Sequence, residues 1–125
     1  MKRVFKTRHF SRWMRKTELA DQSLCEAVSE MSRGLIDADL GGGVVKKRVG
    51  LAGRGKRGGA RTLVATNKGA LWFFVFGFEK NERANISDGE LAALQDVAAD
   101  LLGRTESALD TAVQDGSLQE ICHDH

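Results

Sequence analysis

The sequence predicts a single α+β domain, and three observations carry that reading. Its 125 residues are 42% hydrophobic, enough for one core that hides roughly two-thirds of the surface an unfolded chain would expose. Apolar residues at helical spacing alternate along the chain with β-branched and aromatic runs, and no internal repeat is present. Two adjacent runs of the second kind, residues 61–66 and 70–78, are separated by a turn at 67–69 and read as a β-hairpin.

Residues 3–7 fit a short strand, and residues 9–16 follow as a helix with Phe10, Trp13 and Met14 on one side. A longer helix runs from Asp21, a suitable N-cap, to Met31, with Leu24, Cys25, Val28 and Met31 on one face and Gly34 just past its end. Gly41, Gly42 and Gly43 break the pattern before residues 44–49, which have strand composition. Residues 50–60, GLAGRGKRGGA, read as a flexible glycine-rich loop leading into the hairpin. Its second strand, ALWFFVFGF, is almost continuously apolar, as expected of a central strand covered on both faces, so helices must pack on at least one side of the sheet. Asp88 can cap the next helix, whose Leu91, Leu94, Val97, Ala98, Leu101 and Leu102 form a wide apolar stripe ending at Gly103. A short helix over 106–113 and an apolar patch at 118–121 complete the chain.

Several function classes are disfavoured by what is missing. The N-terminus is basic but has no apolar run of signal-peptide length, and the longest apolar stretch is far short of a membrane span, so a soluble cytosolic protein is expected. Cys25 and Cys122 are too sparse and too distant to suggest a disulfide framework, and in a reducing cytosol free thiols are expected. Residues 50–56 match GxxxxGK, but Arg57 stands where the magnesium-binding Ser or Thr belongs, and the following RTLVAT is strand-like where a P-loop needs a helix. Cys122, His123 and His125 have no partner pair at finger spacing and read as a frayed tail, so neither a metal nor another cofactor is implied.

Charge is the strongest remaining signal. Residues 40–78 contain eight Lys or Arg and no acid, whereas everything after Arg83 contains nine acids against the single Arg104. A solvated surface normally mixes both signs, so this segregation points to a phosphate-binding surface. Arginines grip phosphate oxygens in bidentate fashion, and glycines let the main chain approach them closely. Such a site could bind RNA or help cleave it. In metal-free cleavage the ribose 2′-hydroxyl is the internal nucleophile, so the protein need only take its proton, stabilise the pentacovalent phosphorane and protonate the leaving 5′-oxygen.

The segment GRGKRGGARTL followed by FGFEKNERANI resembles the RelE/HigB-type toxins of bacterial type II toxin-antitoxin systems, with a likeness covering residues 1–102; residues 103–125 read as an acidic C-terminal extension, packed or loose. The resemblance implies N-terminal helices on a small, mainly antiparallel sheet with a further helix, as in microbial RNase-type folds. It also implies an mRNA endonuclease that acts in the ribosomal A site, needs no cofactor, and is blocked by an antitoxin, expected here to be a helix-turn-helix DNA-binding protein. Residue by residue, it makes Lys46 the candidate general base, Arg48 a phosphate ligand, Arg61 the transition-state stabiliser and Lys80 a basic group near the scissile phosphate. Lys47, Arg54, Lys56, Arg57 and Arg83 are assigned to gripping RNA, with Glu82 an alternative salt-bridge partner for Arg83. The chain departs from the family in having no tyrosine; Ser87 stands near the place of the usual C-terminal proton donor or stacking group, and the acid is unassigned. Two other readings stay open: a ParE-like toxin that inhibits gyrase with the same fold, and a non-catalytic RNA-binding module. The five acids beyond Gly103 could also lie against the basic surface and weaken RNA binding.

Overall fold

The computed structural model of the chain describes residues 2–51 and 55–123, with residues 55–58 described through their backbone alone. In chain order the elements are β1 (Arg3–Thr7), α1 (Arg8–Met14), α2 (Asp21–Ser32), β2 (Ala38–Gly41), β3 (Val44–Leu51), β4 (Gly55–Thr66), β5 (Leu71–Glu79), α3 (Asp88–Leu102), α4 (Glu106–Gln114) and β6 (Leu118–Ile121). The strands form one six-stranded mixed sheet in the order β2-β3-β4-β5-β1-β6, with β1 parallel to β5 and the other pairs antiparallel. The α+β class expected from the sequence, with helices before and after a mainly antiparallel sheet, is therefore what the chain adopts.

Strand alternation divides the core in two. Val4, Val45, Val49, Val64, Trp72 and Phe74 face one way and pack with Phe10, Leu24, Val28 and Met31 from α1 and α2. Phe5, Val44, Leu63, Ala65 and Phe73 face the other way and pack with Leu94, Ala98, Leu101 and Leu109 from α3 and α4. Trp72, Phe73 and Phe74 are all 0% exposed, which is why β5 has to be apolar on both faces. Burying these three aromatics contributes on the order of 6–9 kcal/mol of hydrophobic driving force.

Five local expectations need correction. First, β2 was not legible: Ala38–Gly41 is four residues long, and it pairs with β3 through a turn in which Gly41, Gly42 and Gly43 all take positive φ, a region glycine reaches without strain. Second, the glycine-rich segment is mostly strand, because β4 begins at Gly55 and pairs with β3 from Leu51↔Gly55 onward. Gly59 is required there by packing, since a Cβ at that position would lie 2.0 Å from the Val49 carbonyl oxygen, beside the register shift in β3. Third, the helix caps sit one residue earlier than expected. Ala20 occupies the N-cap of α2 while Asp21 pairs with Lys6 at 2.7 Å, and Ser87 caps α3 in a reciprocal capping box with Glu90.

Fourth, the patch at 118–121 is the edge strand β6, antiparallel to β1. Arg3 holds it in place, donating from Nε and Nη2 to the Glu120 carboxylate at 2.9 and 2.8 Å and from Nη2 to Asp110 at 2.9 Å. Those tail acids are thus committed at the β1–β6 end of the sheet, three strands away from β3, and do not lie over its cations. Fifth, Cys25 and Cys122 form a disulfide. The antiparallel return of β6 carries the chain back beside α2 and leaves the two Cα atoms 5.7 Å apart, within bonding reach despite a sequence separation of 97.

Candidate functional site

The period-2 geometry of β3 sorts its three consecutive cations. Lys46 and Arg48 share the face of Val44, whereas Lys47 shares the opposite face with Val45 and Val49. Lys47 is only 4% exposed, and its Nζ donates to the Leu35 carbonyl at 2.8 Å and pairs with Glu30 at 2.8 Å. It belongs to the α2 side of the core, and the expected RNA contact is corrected accordingly: an ammonium this buried and already ion-paired is not presented to a phosphate.

On the other face the alternation of β4 continues from Leu63 to Arg61, which is the direct register partner of Arg48 across β3–β4. Lys46 is paired with Leu63, two positions along, so Lys46, Arg48 and Arg61 form a compact triangle on one pleated surface. Arg61 is half-buried, and its Nη1 is buried with no hydrogen-bond partner among the described residues. A guanidinium nitrogen in that position is expensive unless a ligand completes it. Neither Lys46 nor Arg61 has an acidic partner among the described residues. Arg48 does: its Nε is 3.3 Å from Asp37 Oδ1, and its amide donates to Asp37 Oδ2 at 2.6 Å. Asp37 lies just before the acid-free stretch, so a run without acids in sequence is not a surface without acids in space.

Lys80 is exposed in the turn after β5, with no acidic partner among the described residues. Arg83, in the same turn, is not paired with Glu82. Its Nη1 donates to Glu90 at 2.9 Å, its Nη2 also meets Glu90, its Nε donates to the Asn85 carbonyl at 3.0 Å, and its guanidinium lies over the Phe76 and Phe78 rings at 5.9 and 5.7 Å. Glu82 instead accepts from the Glu79 amide at 2.6 Å. The ion pair holds the Glu90 carboxyl down at about 2, well below its ordinary 4.5, with the Ser87 amide adding to the effect. NERANIS is therefore in large part a structural clasp joining β5 to α3. Ser87 is consumed as a helix cap, accepting from the Glu90 amide at 3.1 Å, and is not placed as a proton donor. Of the expected RNA grips, Arg54 and the side chains of Lys56 and Arg57 lie outside the described residues.

One group of side chains was missed by sequence reasoning. His9, Arg12, Trp13 and Lys16 project from α1 and the residues just after it toward the end of β5, where the His9 ring stacks on Phe76 at 5.5 Å and 8°. Their i, i+3, i+4 and i+7 spacing was visible, but the strand they face was not. Among the described residues no cluster of His, Cys, Asp and Glu could hold a metal, and no helix is long and apolar enough to cross a membrane.

A protein-family model described as the RelE toxin of the RelE / RelB toxin-antitoxin system matches residues 2–121. The match extends through α4 and β6, beyond the segment whose motifs carry the likeness. No curated protein matches the chain.

Proposed function

Because the chain belongs to the RelE toxin family and is thus the toxin of a toxin-antitoxin pair, we propose that it is a ribosome-dependent mRNA endonuclease that cuts by metal-independent attack of the ribose 2′-hydroxyl and so stops translation. The observation that carries this reading is Arg61: a half-buried guanidinium, facing Arg48 across two strands, with a buried nitrogen that lacks a partner. A phosphorane passing through this face gains negative charge on its equatorial oxygens, and donors fixed in place beforehand stabilise that charge more than they stabilise the ground-state diester.

In this mechanism Lys46 takes the 2′-proton, Arg48 orients a non-bridging oxygen after exchanging Asp37 for phosphate, and Arg61 completes its hydrogen bonding on the developing dianion. Lys80, extended from the β5 turn, serves the leaving 5′-oxygen. The ion-paired Arg83 stays with Glu90 and shapes the aromatic floor. The antitoxin is expected to be a helix-turn-helix protein with an acidic or amphipathic arm that covers the cations of β3 and β4.

Translating ribosomes supplied with purified protein should yield mRNA fragments cut within A-site codons, and Arg61→Ala should slow that cleavage by about a hundredfold or more. Undiminished cleavage by Arg61→Ala would take Arg61 out of the mechanism, and uncut mRNA with the parent protein would remove the nuclease reading. Unbroken mRNA together with arrested gyrase would establish the ParE-like activity instead.

A further inference from the structure

In the proposed mechanism the cations of β3 and β4 meet only phosphates, which carry no base identity. Beside them lies a second feature that can recognise a base. After the pair Lys6↔Phe74, β1 no longer runs beside β5, and after Thr7 the chain turns into α1, with Thr7 Oγ1 capping the Phe10 amide at 3.2 Å. Residues 76–78 of β5 therefore have β4 on one side and α1 on the other, and a pocket of about 320 Å³ opens at that edge. That volume lies at the small end of ligand sites and suits one nucleobase with its sugar better than a larger molecule.

The chemistry of the walls agrees. Trp13 lies against the strand because Gly77 has no side chain: a Cβ there would sit 2.4 Å from the indole ring. The opposite wall is the stacked pair His9 and Phe76, with the Arg83 guanidinium over Phe76. Arg12 and Lys16 line the mouth, both exposed and without an acidic partner among the described residues. The acid in the wall, Glu82, accepts from the Glu79 amide. Aromatic faces bounded by free cations are what an unpaired base and its flanking phosphates require. Phe78 lines this pocket and is also the register partner of Arg61. Adjacent strands lie roughly 5 Å apart, so the pocket begins within one nucleotide of the proposed cleavage point.

We propose that this pocket seats one unpaired base of the RNA strand whose backbone crosses the Arg48–Arg61 face, with the base stacked against Trp13 and the His9 ring that Phe76 supports, and the flanking phosphate held by Arg12 and Lys16. The proposal rests on the RNA-cleavage reading, and its test separates the two. Trp72 is fully buried, so a change in tryptophan emission on ligand addition reports Trp13.

Short single-stranded RNA carrying 2′-O-methyl groups, which cannot be cut, should quench that emission, and the same strand made abasic should not. His9→Ala, at an exposed position that the core does not need, should weaken binding about tenfold or more with an unchanged melting temperature, and in Trp13→Phe the remaining emission should not respond. Arg61→Ala should still quench, at higher RNA concentration because one phosphate contact is gone, while cleaving about a hundredfold or more slowly. Equal quenching by the abasic strand or by a Glu-rich peptide, or no quenching at all, would overturn the base pocket even if Arg61→Ala abolishes cleavage. Quenching by the parent together with uncut mRNA on translating ribosomes would keep the pocket and sink the nuclease assignment.

Discussion

Lys47 places its ammonium 2.8 Å from both the Leu35 carbonyl and a Glu30 carboxylate oxygen, whereas Lys46, one residue earlier, stands half-buried on the opposite face without an acidic partner among the described residues. The two lysines should therefore fail in different assays. Lys47→Ala leaves Glu30 without that partner and opens a gap under α2, which should cost about 2–4 kcal/mol by denaturant titration, the range for breaking a largely buried pair. Lys46→Ala should leave the denaturation midpoint within about 0.5 kcal/mol and abolish detectable mRNA cleavage. The reverse pattern, a stable inactive Lys47→Ala and an unstable active Lys46→Ala, would mean that β3 presents its other face to the RNA. Strand alternation in the sequence puts Lys46 and Arg48 on one face and Lys47 on the other. It could not tell which face is buried, because Val44, Val45 and Val49 supply apolar neighbours on both sides. Nor could it show that Asp37 returns to Arg48, a contact made by the β2–β3 hairpin and not by neighbours in the chain.

At the scale of elements, long apolar runs were legible and short or glycine-rich ones were not. The bounds of β1, the central position of β5 and the stripe of α3 follow from composition and spacing, but β2 and β6 are four residues each and are strands only because a neighbour's edge is open to them. The extension of β4 through Gly59 was hidden for a related reason: the glycine that suggested a loop is there because the Val49 carbonyl comes too close for any side chain. Gly59→Ala should consequently destabilise the protein by roughly 1–3 kcal/mol, while Gly89→Ala, at an open position in the first turn of α3, should be neutral or stabilising by up to about 1 kcal/mol. The β5–α3 clasp makes a prediction in pH. Glu90 has its folded value depressed to about 2 from 4.5, so the stability it contributes is fully present above about pH 4.5 and is lost as pH falls from there toward 2. Melting temperatures measured across that window should decline less steeply in Glu90→Gln than in the parent, with the variant already lower near neutrality. Identical slopes would show that the clasp does not form in solution.

For the whole molecule, the cations of β3 and β4 and the chain's closing elements occupy opposite ends of one sheet, with β3 and β4 on one side of β5 and β1 and β6 on the other. The Cys25–Cys122 bond joins α2 to the end of β6 and spans 97 positions, so it restrains nearly the whole unfolded chain. In the chain-entropy account a loop of that length contributes about 4–5 kcal/mol, which is a large part of what a domain of this size normally has. No local pattern in the chain signals that bond, since pairing two cysteines so far apart requires knowing that β6 comes back beside α2. Reductant should therefore lower the melting temperature by on the order of 15 °C. Cys122→Ser should melt near the reduced parent and show no further response. Neither treatment touches Lys46, Arg48 or Arg61, so cleavage measured well below the lower melting point should continue at the parental rate. A fall in cleavage that tracks reduction at such a temperature would show that the two ends of the sheet are coupled. An unchanged melting temperature would show that the arginine clasp from Arg3 to Glu120 and Asp110 holds β6 in place without the covalent bond.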